Sequence, residues 1–190
     1  MNMTPDTIIS IFLGIGLAAS VGFRVFLPLF ALSLAAYLGA WELNDNWQWI
    51  GSLAALITLG VATIMEIFAY FIPWVDNALD SIAIPLAGIA GTAVMVSTVA
   101  DLDPVVTWSL AIIAGGGTAT AIKGANATGR LTSTATTGGI ANPIVSTVET
   151  GAAVVVSTAS ILVPPIAAIL VIIILIFIFR IYRKLRPKTK

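Results

Sequence analysis

The chain has 190 residues, 58% of them hydrophobic and only 9% charged, with nine basic and nine acidic side chains and no formal net charge. That is too little polar material to coat a soluble globule of this length, so the fold class expected is an all-α integral membrane protein. Cysteine and histidine are both absent, which excludes disulfides, thiolate chemistry and Cys/His metal centres and removes the commonest general base; no enzyme activity, metal or cofactor is expected.

Apolar runs at 7–39, 48–72, 82–99, 105–123, 138–159 and 163–180 predict about six transmembrane helices. They form one helical transmembrane domain over 1–180, followed by a basic tail at 181–190. As a single helix, 7–39 would reach about 50 Å, against an apolar slab of about 30 Å. Gly22-Phe-Arg24 and Pro28 fall in its middle. A helix broken at Gly22–Pro28, or two half-helices in a re-entrant hairpin, therefore fits better than one long tilted helix. No lysine or arginine precedes this run, so it is expected to be retained rather than cleaved as a signal peptide.

Glu42-Leu-Asn-Asp-Asn-Trp47 reads as an interfacial connection, Pro73 with Asp76 and Asp80 as a second, and Asp101-Leu-Asp-Pro104 as a third. In the next helix Ala111, Gly115, Ala119 and Lys123 recur at every fourth position. Such a flat small-residue face suits the centre of a bundle, with Gly88 and Gly91 as its expected partner surface. Pro164-Pro165 opens the last helix. Six of the nine basic residues close the chain: Arg180, Arg183, Lys184, Arg186, Lys188 and Lys190. They place the tail on the cytoplasmic side of the cell (inner) membrane and read as a topology anchor, not a nucleic-acid arm. Six crossings would bring both ends to that side; a hairpin in 7–39 would change the count.

Outside the tail the only bases are Arg24, Lys123 and Arg130, and the acids Glu66 and Glu149 fall inside apolar runs. Ionised groups at bilayer depth are costly unless paired or wet, so they either line a polar cavity or form a structural ion pair. The stretch Gly129–Pro143 adds the hydroxyls of Thr132, Ser133, Thr134, Thr136 and Thr137, the pair Gly138-Gly139, and Asn142 before Pro143. It reads equally well as a surface loop and as interrupted backbone around a polar site. Asn142 and Glu149, seven residues apart, share a helix face. A faint repeat gives possible halves at 7–99 and 105–180 in inverted orientation, though the two align only across a large gap.

The segments Gly22-Phe-Arg-Val-Phe-Leu-Pro-Leu-Phe30, Ile72-Pro-Trp-Val-Asp76 and Arg130-Leu-Thr-Ser-Thr-Ala-Thr-Thr-Gly-Gly-Ile-Ala-Asn-Pro-Ile-Val-Ser146 with Glu149 resemble an uncharacterised family of bacterial multi-pass membrane proteins, the domain of unknown function numbered 4126. The resemblance runs from about residue 10 to 185. It implies the membrane class and makes the hydroxyl-rich stretch a family feature; it implies no substrate.

The expected function is that of a small secondary transporter or channel-like permease. Arg24, Glu66, Lys123, Arg130, Thr132, Ser133, Thr134, Thr136, Thr137, Asn142 and Glu149 would bind a small polar or ionic solute. Three internal bases against two acids mildly favour an anion. The alternatives are a protein that binds or translocates lipid head groups, and a structural subunit whose ion pairs only specify packing. The partners expected are membrane lipids, the solute and copies of the chain itself in a homo-oligomer; no nucleic acid is among them.

Overall fold

The computed structural model describes residues 4–100 and 102–185, except the side chains at 73, 74, 76–78, 80, 81 and 185. The described residues are helical, with no strand among them. Helix α1 (Pro5–Phe23) opens with Pro5 at its first position and the Thr4 hydroxyl accepting from the Thr7 N–H. It stops at Arg24, whose extended backbone (φ −137°, ψ 130°) ends the helix, and α2 (Phe26–Tyr37) begins two residues later. The break therefore falls where Gly22–Pro28 suggested it. Beyond it the chain turns back. Trp41 donates to the Ile161 carbonyl at 3.1 Å, and the neighbouring Ser160 faces Gly16 in the middle of α1. Residues 5–41 are thus a helical hairpin, and by Trp41 the chain has returned to a cleft it shares with Asp6, Ile9 and Ser10 near the start of α1.

A 3-10 segment, Asp45–Gly51, leads into α3 (Leu53–Ala69) with a 64° bend. α3 descends along α2, from Ser33, whose hydroxyl donates to the Ile50 carbonyl, to Glu66 beside Val25. Helix α4 (Pro73–Thr98) starts earlier than its apolar run. It takes in positions 76 and 80, which the sequence suggested were a connection; a proline at the first helical position opens a helix as readily as it ends one. The Asp76 and Asp80 side chains lie outside the described residues, as does Asp101.

α5 (Pro104–Leu110), a π-helical segment (Ala111–Gly116) and α6 (Gly117–Thr137) form one 34-residue helix. The run expected to end near 123 therefore continues through the threonines. Nothing breaks it before Gly138 and Gly139, whose positive φ values of 64° and 87° are easy only for glycine. α7 (Asn142–Leu162) and α8 (Pro164–Leu185) complete the bundle. α1, the 104–137 helix, α7 and Pro164–Lys184 are each long and apolar enough to cross a membrane, and the bent pair at 45–69 makes a fifth candidate.

α1 is the axis of the bundle: Leu13, Leu17, Ala18, Ala19 and Val21 are fully or almost fully buried, as suits a helix apolar on every side. It runs parallel to α8, with Gly16 against Ala167 and Ala19 and Val171 in one apolar cluster. The first and last helices thus point the same way, and the two ends of the bundle's chain lie on opposite sides.

The expected glycine contact is present. A Cβ on Gly115 would sit 2.6 Å from the Gly91 carbonyl oxygen, and one on Gly91 would sit 2.8 Å from that of Gly115. Gly115→Ala is therefore expected to push α4 from the π segment and cost about 1–3 kcal/mol. Gly117→Ala, which points into open space, is expected to be neutral or slightly stabilising. Thermal unfolding in detergent micelles checks both; equal melting temperatures for the two variants would contradict the close approach.

Candidate functional site

The break after α1 exposes the first amides of α2, which have no partner inside that helix and carry its positive dipole end. Glu66, from the last turn of α3, fills this place. Its Oε1 accepts from the Val25 N–H at 2.7 Å and its Oε2 from the Phe26 N–H at 3.0 Å. Four residues on, one turn along the same face, comes Tyr70.

The Tyr70 ring is the hub of the cluster. The Arg24 guanidinium carbon lies 4.2 Å from the ring centroid, that of Arg130 4.5 Å and the Lys123 ammonium 5.1 Å. Lys123 also donates to the Tyr70 hydroxyl at 3.1 Å. Cations held by the negative face of an aromatic ring are stabilised more when water is excluded. Lys123 and Arg130 reach one site because seven residues make two turns of α6. Between them Asn126 donates to the Gly22 carbonyl at 3.2 Å, tying α6 to the foot of α1.

α7 supplies the carboxylate. Glu149 lies in the fork of Arg130: Nε donates to Oε1 at 3.1 Å and Nη2 donates to Oε2. The same Nη2 donates to the Ser146 hydroxyl at 2.9 Å. Arg24 is held beside this pair. Its Nε donates to the Thr150 hydroxyl at 3.0 Å and its Nη2 to the Ser146 carbonyl at 2.9 Å, and Nη2 lies 4.0 Å from Glu149 Oε2. Arg24 Nη1 is buried with no hydrogen-bond partner among the described residues. The cluster is closed: relative exposure is 0% for Arg24, 1% for Lys123, 2% for Arg130, 4% for Glu149 and 8% for Glu66.

Its depth follows from the parallel packing of α1 and α8. Arg24 is eight residues past Gly16, level with about residue 175, and Arg180 follows five residues later, or about 7 Å along the axis. The cluster lies inside the apolar stretch of α8, near its charged end rather than at its middle.

Of the sequence candidates, Arg24, Glu66, Lys123, Arg130 and Glu149 meet here. The hydroxyl run does not join them. Thr132, Thr134, Thr136 and Thr137 are exposed on the last turns of α6, up to about 10 Å beyond Arg130. Thr132, Thr136 and Thr137 donate to carbonyls four residues back in their own helix, the usual way a mid-helix threonine is accommodated. Asn142 donates to the Thr134 hydroxyl at 3.2 Å and helps close the α6–α7 turn, while Ser133 is half-buried beside this run. Sequence reasoning missed Tyr70, Ser146 and Thr150. The available signal was spacing: Tyr70 is four residues after Glu66, and Ser146, Glu149 and Thr150 share one face of α7.

At the other end of α1, two clefts of about 550 and 610 Å³ open beside Trp41, Trp47, Trp49 and Trp108. Between them and the cluster runs the α1–α7 seam. Gly16 lies against Ser160, and the Ser20 hydroxyl donates to the Ala153 carbonyl at 2.9 Å and lies 2.7 Å from the Ser157 hydroxyl.

Comparison with curated proteins and with solved structures finds no significant match to either. A family model does match, over residues 11–184, nearly the whole length and every residue of the buried cluster. The chain belongs to the family described as domain of unknown function DUF4126.

Proposed function

We propose that the protein is a small membrane transport protein that passes an anion through the Arg24–Lys123–Arg130 cluster. The observation that carries this reading is the enclosure of two guanidiniums and an ammonium around one ring inside an apolar bundle. Ionisable groups are rarely kept there without a functional use. In this proposal the basic end of α8 marks the cytoplasmic side, by the positive-inside rule, and the tryptophan-rich clefts face the opposite side. The route we propose between them follows the seam of Gly16, Ser20, Ala153, Ser157 and Ser160, which is closely packed here and must part for a solute, and whose hydroxyls can rotate to serve it. A lipid head group would need a furrow open sideways to the bilayer, and the near-complete burial of the cluster favours a solute instead.

Reconstituted vesicles test this. Native protein is expected to move a small anion, and Arg24→Ala to slow it by about tenfold or more, the equivalent of losing one charge-assisted hydrogen bond. Equal fluxes from native, variant and protein-free vesicles, across anions, cations and lipids, would refute it.

A further inference from the structure

Glu149 holds a place that another carboxylate could take. Its two oxygens occupy the Nε and Nη2 edge of Arg130, with the Ser146 hydroxyl on the same nitrogen and Arg24 Nη2 at 4.0 Å. This is the two-point geometry by which arginine recognises planar carboxylates. Beside it, Arg24 Nη1 is buried and holds a donor that no described residue uses. The protein therefore displays, in its own chain, a carboxylate docked in its basic cluster with one donor nitrogen to spare. We infer that Glu149 is an internal stand-in for the substrate: a small carboxylate displaces it from Arg130 and Arg24 as Glu149 takes up one proton.

The proton is required by position. The incoming carboxylate takes the arginine contacts that Glu149 holds, and an ionised Glu149 left without them would be a buried charge with no partner, at a cost of several kcal/mol. Protonating Glu149 cancels its charge as the incoming anion restores it, and the net charge of the cluster does not change. The neutral acid no longer competes for the fork and can turn its new O–H to a nearby acceptor. The accounting is simple: one proton from solution ends on a Glu149 oxygen, one carboxylate enters, and no other bond changes. The groups facing Glu149 fit this exchange. Arg24 reaches it from the α1–α2 break and Arg130 from α6, while Lys123 and the α3 residues Glu66 and Tyr70 lie farther out around the ring. α2 carries no acidic or basic residue, and α8 none before Arg180. Glu66 is a poorer candidate for the exchange, because both its oxygens are already taken by backbone amides.

A carboxylate is favoured over a larger or rounder anion because the space vacated is that of a flat, two-oxygen group. Sulfate brings further oxygens for which the described cluster shows a single idle nitrogen, and chloride, which can sit between two N–H groups of the fork, offers one round acceptor where the vacated space holds two oxygens.

This inference rests on the transport reading for its biological meaning, but binding tests it separately. Pyruvate, which stays ionised across the pH range, is titrated into the full-length protein in micelles from pH 5 to 8, in buffers that report proton uptake. For native protein, Kd is expected to rise about tenfold per pH unit where one proton is linked to binding. About one proton should be taken up per anion. The sign follows from the exchange: the complex holds one more proton than the free protein, so raising pH disfavours it. Glu149→Gln removes the charge permanently. It is expected to bind pyruvate at least as tightly as native protein does at pH 5, with no pH slope and no proton uptake. Should that variant fail to fold, the slope and proton count of native protein still decide. A flat native profile, sulfate or chloride bound as well as pyruvate, or no binding at all overturns the inference. Proton-linked pyruvate binding without flux in vesicles would leave it standing and remove the transport reading; anion flux without such binding would do the opposite.

Discussion

Replacing Arg130 with alanine is expected to cost about 3–5 kcal/mol of folding stability, the usual result of removing one partner from a buried ion pair. The attraction between Arg130 and Glu149 is only part of that loss. Once Arg130 is gone, the Glu149 carboxyl is buried without its two-point partner, with Arg24 Nη2 at 4.0 Å as the nearest described cation, and the Ser146 hydroxyl loses its donor. Removing both partners should cost much less than the sum of the two single changes. In Arg130→Met with Glu149→Met, neither unpaired charge remains at that fork, and methionine fills much of the vacated volume. We expect a coupling of about 2 kcal/mol or more between the two positions. Denaturant unfolding of the four proteins in mixed micelles gives the cycle. Additive losses would mean that the pair is not a unit and that the contacts around Tyr70 hold each side chain alone.

The sequence made one part of this cluster legible and hid another, for a physical reason. Charges in an oily chain stand out because nothing but function or pairing retains them, so Arg24, Lys123, Arg130, Glu66 and Glu149 could be picked without a structure. Hydroxyls carry no such signal. A threonine can serve a ligand or satisfy its own helix, and only coordinates distinguish the two. The conspicuous run at 132–137 satisfies its own helix, whereas the plain-looking Ser146 accepts from Arg130, and Thr150, while donating to the Ser146 carbonyl of its own helix, accepts from Arg24. Tyr70 was hidden because an aromatic residue at the end of an apolar helix usually marks an interface. The hairpin at Arg24 was foreshadowed by length and by Pro28, but its consequence was not. The first amides of α2 are capped by Glu66, some forty residues away, a contact that no local pattern announces. The internal bases are also held by unlike elements: Arg24 in a helix break, Lys123 and Arg130 inside one unbroken helix.

Glu66→Ala is expected to destabilise the protein by about 3 kcal/mol, because it orphans two amides in a place that water does not reach. Glu66→Gln should cost about half as much: the side-chain oxygen can still accept from Val25 or Phe26, while the charge facing the dipole of α2 is lost. The damage should be local before it is global. Hydrogen exchange at Val25 and Phe26 is expected to accelerate in both variants ahead of any change along α7, since these two amides alone lose their acceptor. The same pair of variants separates two roles for Glu66. A residue that shuttles coupling protons loses its function completely on becoming glutamine, whereas one that caps a helix keeps most of it. With both carboxylate oxygens engaged by backbone, the cap is the role expected, and Glu66→Gln should retain most of the flux that native protein shows. If flux in Glu66→Gln vanished while the amides of α2 stayed protected, the proton-linked step would belong to α3 and the exchange assigned to Glu149 would have to be abandoned.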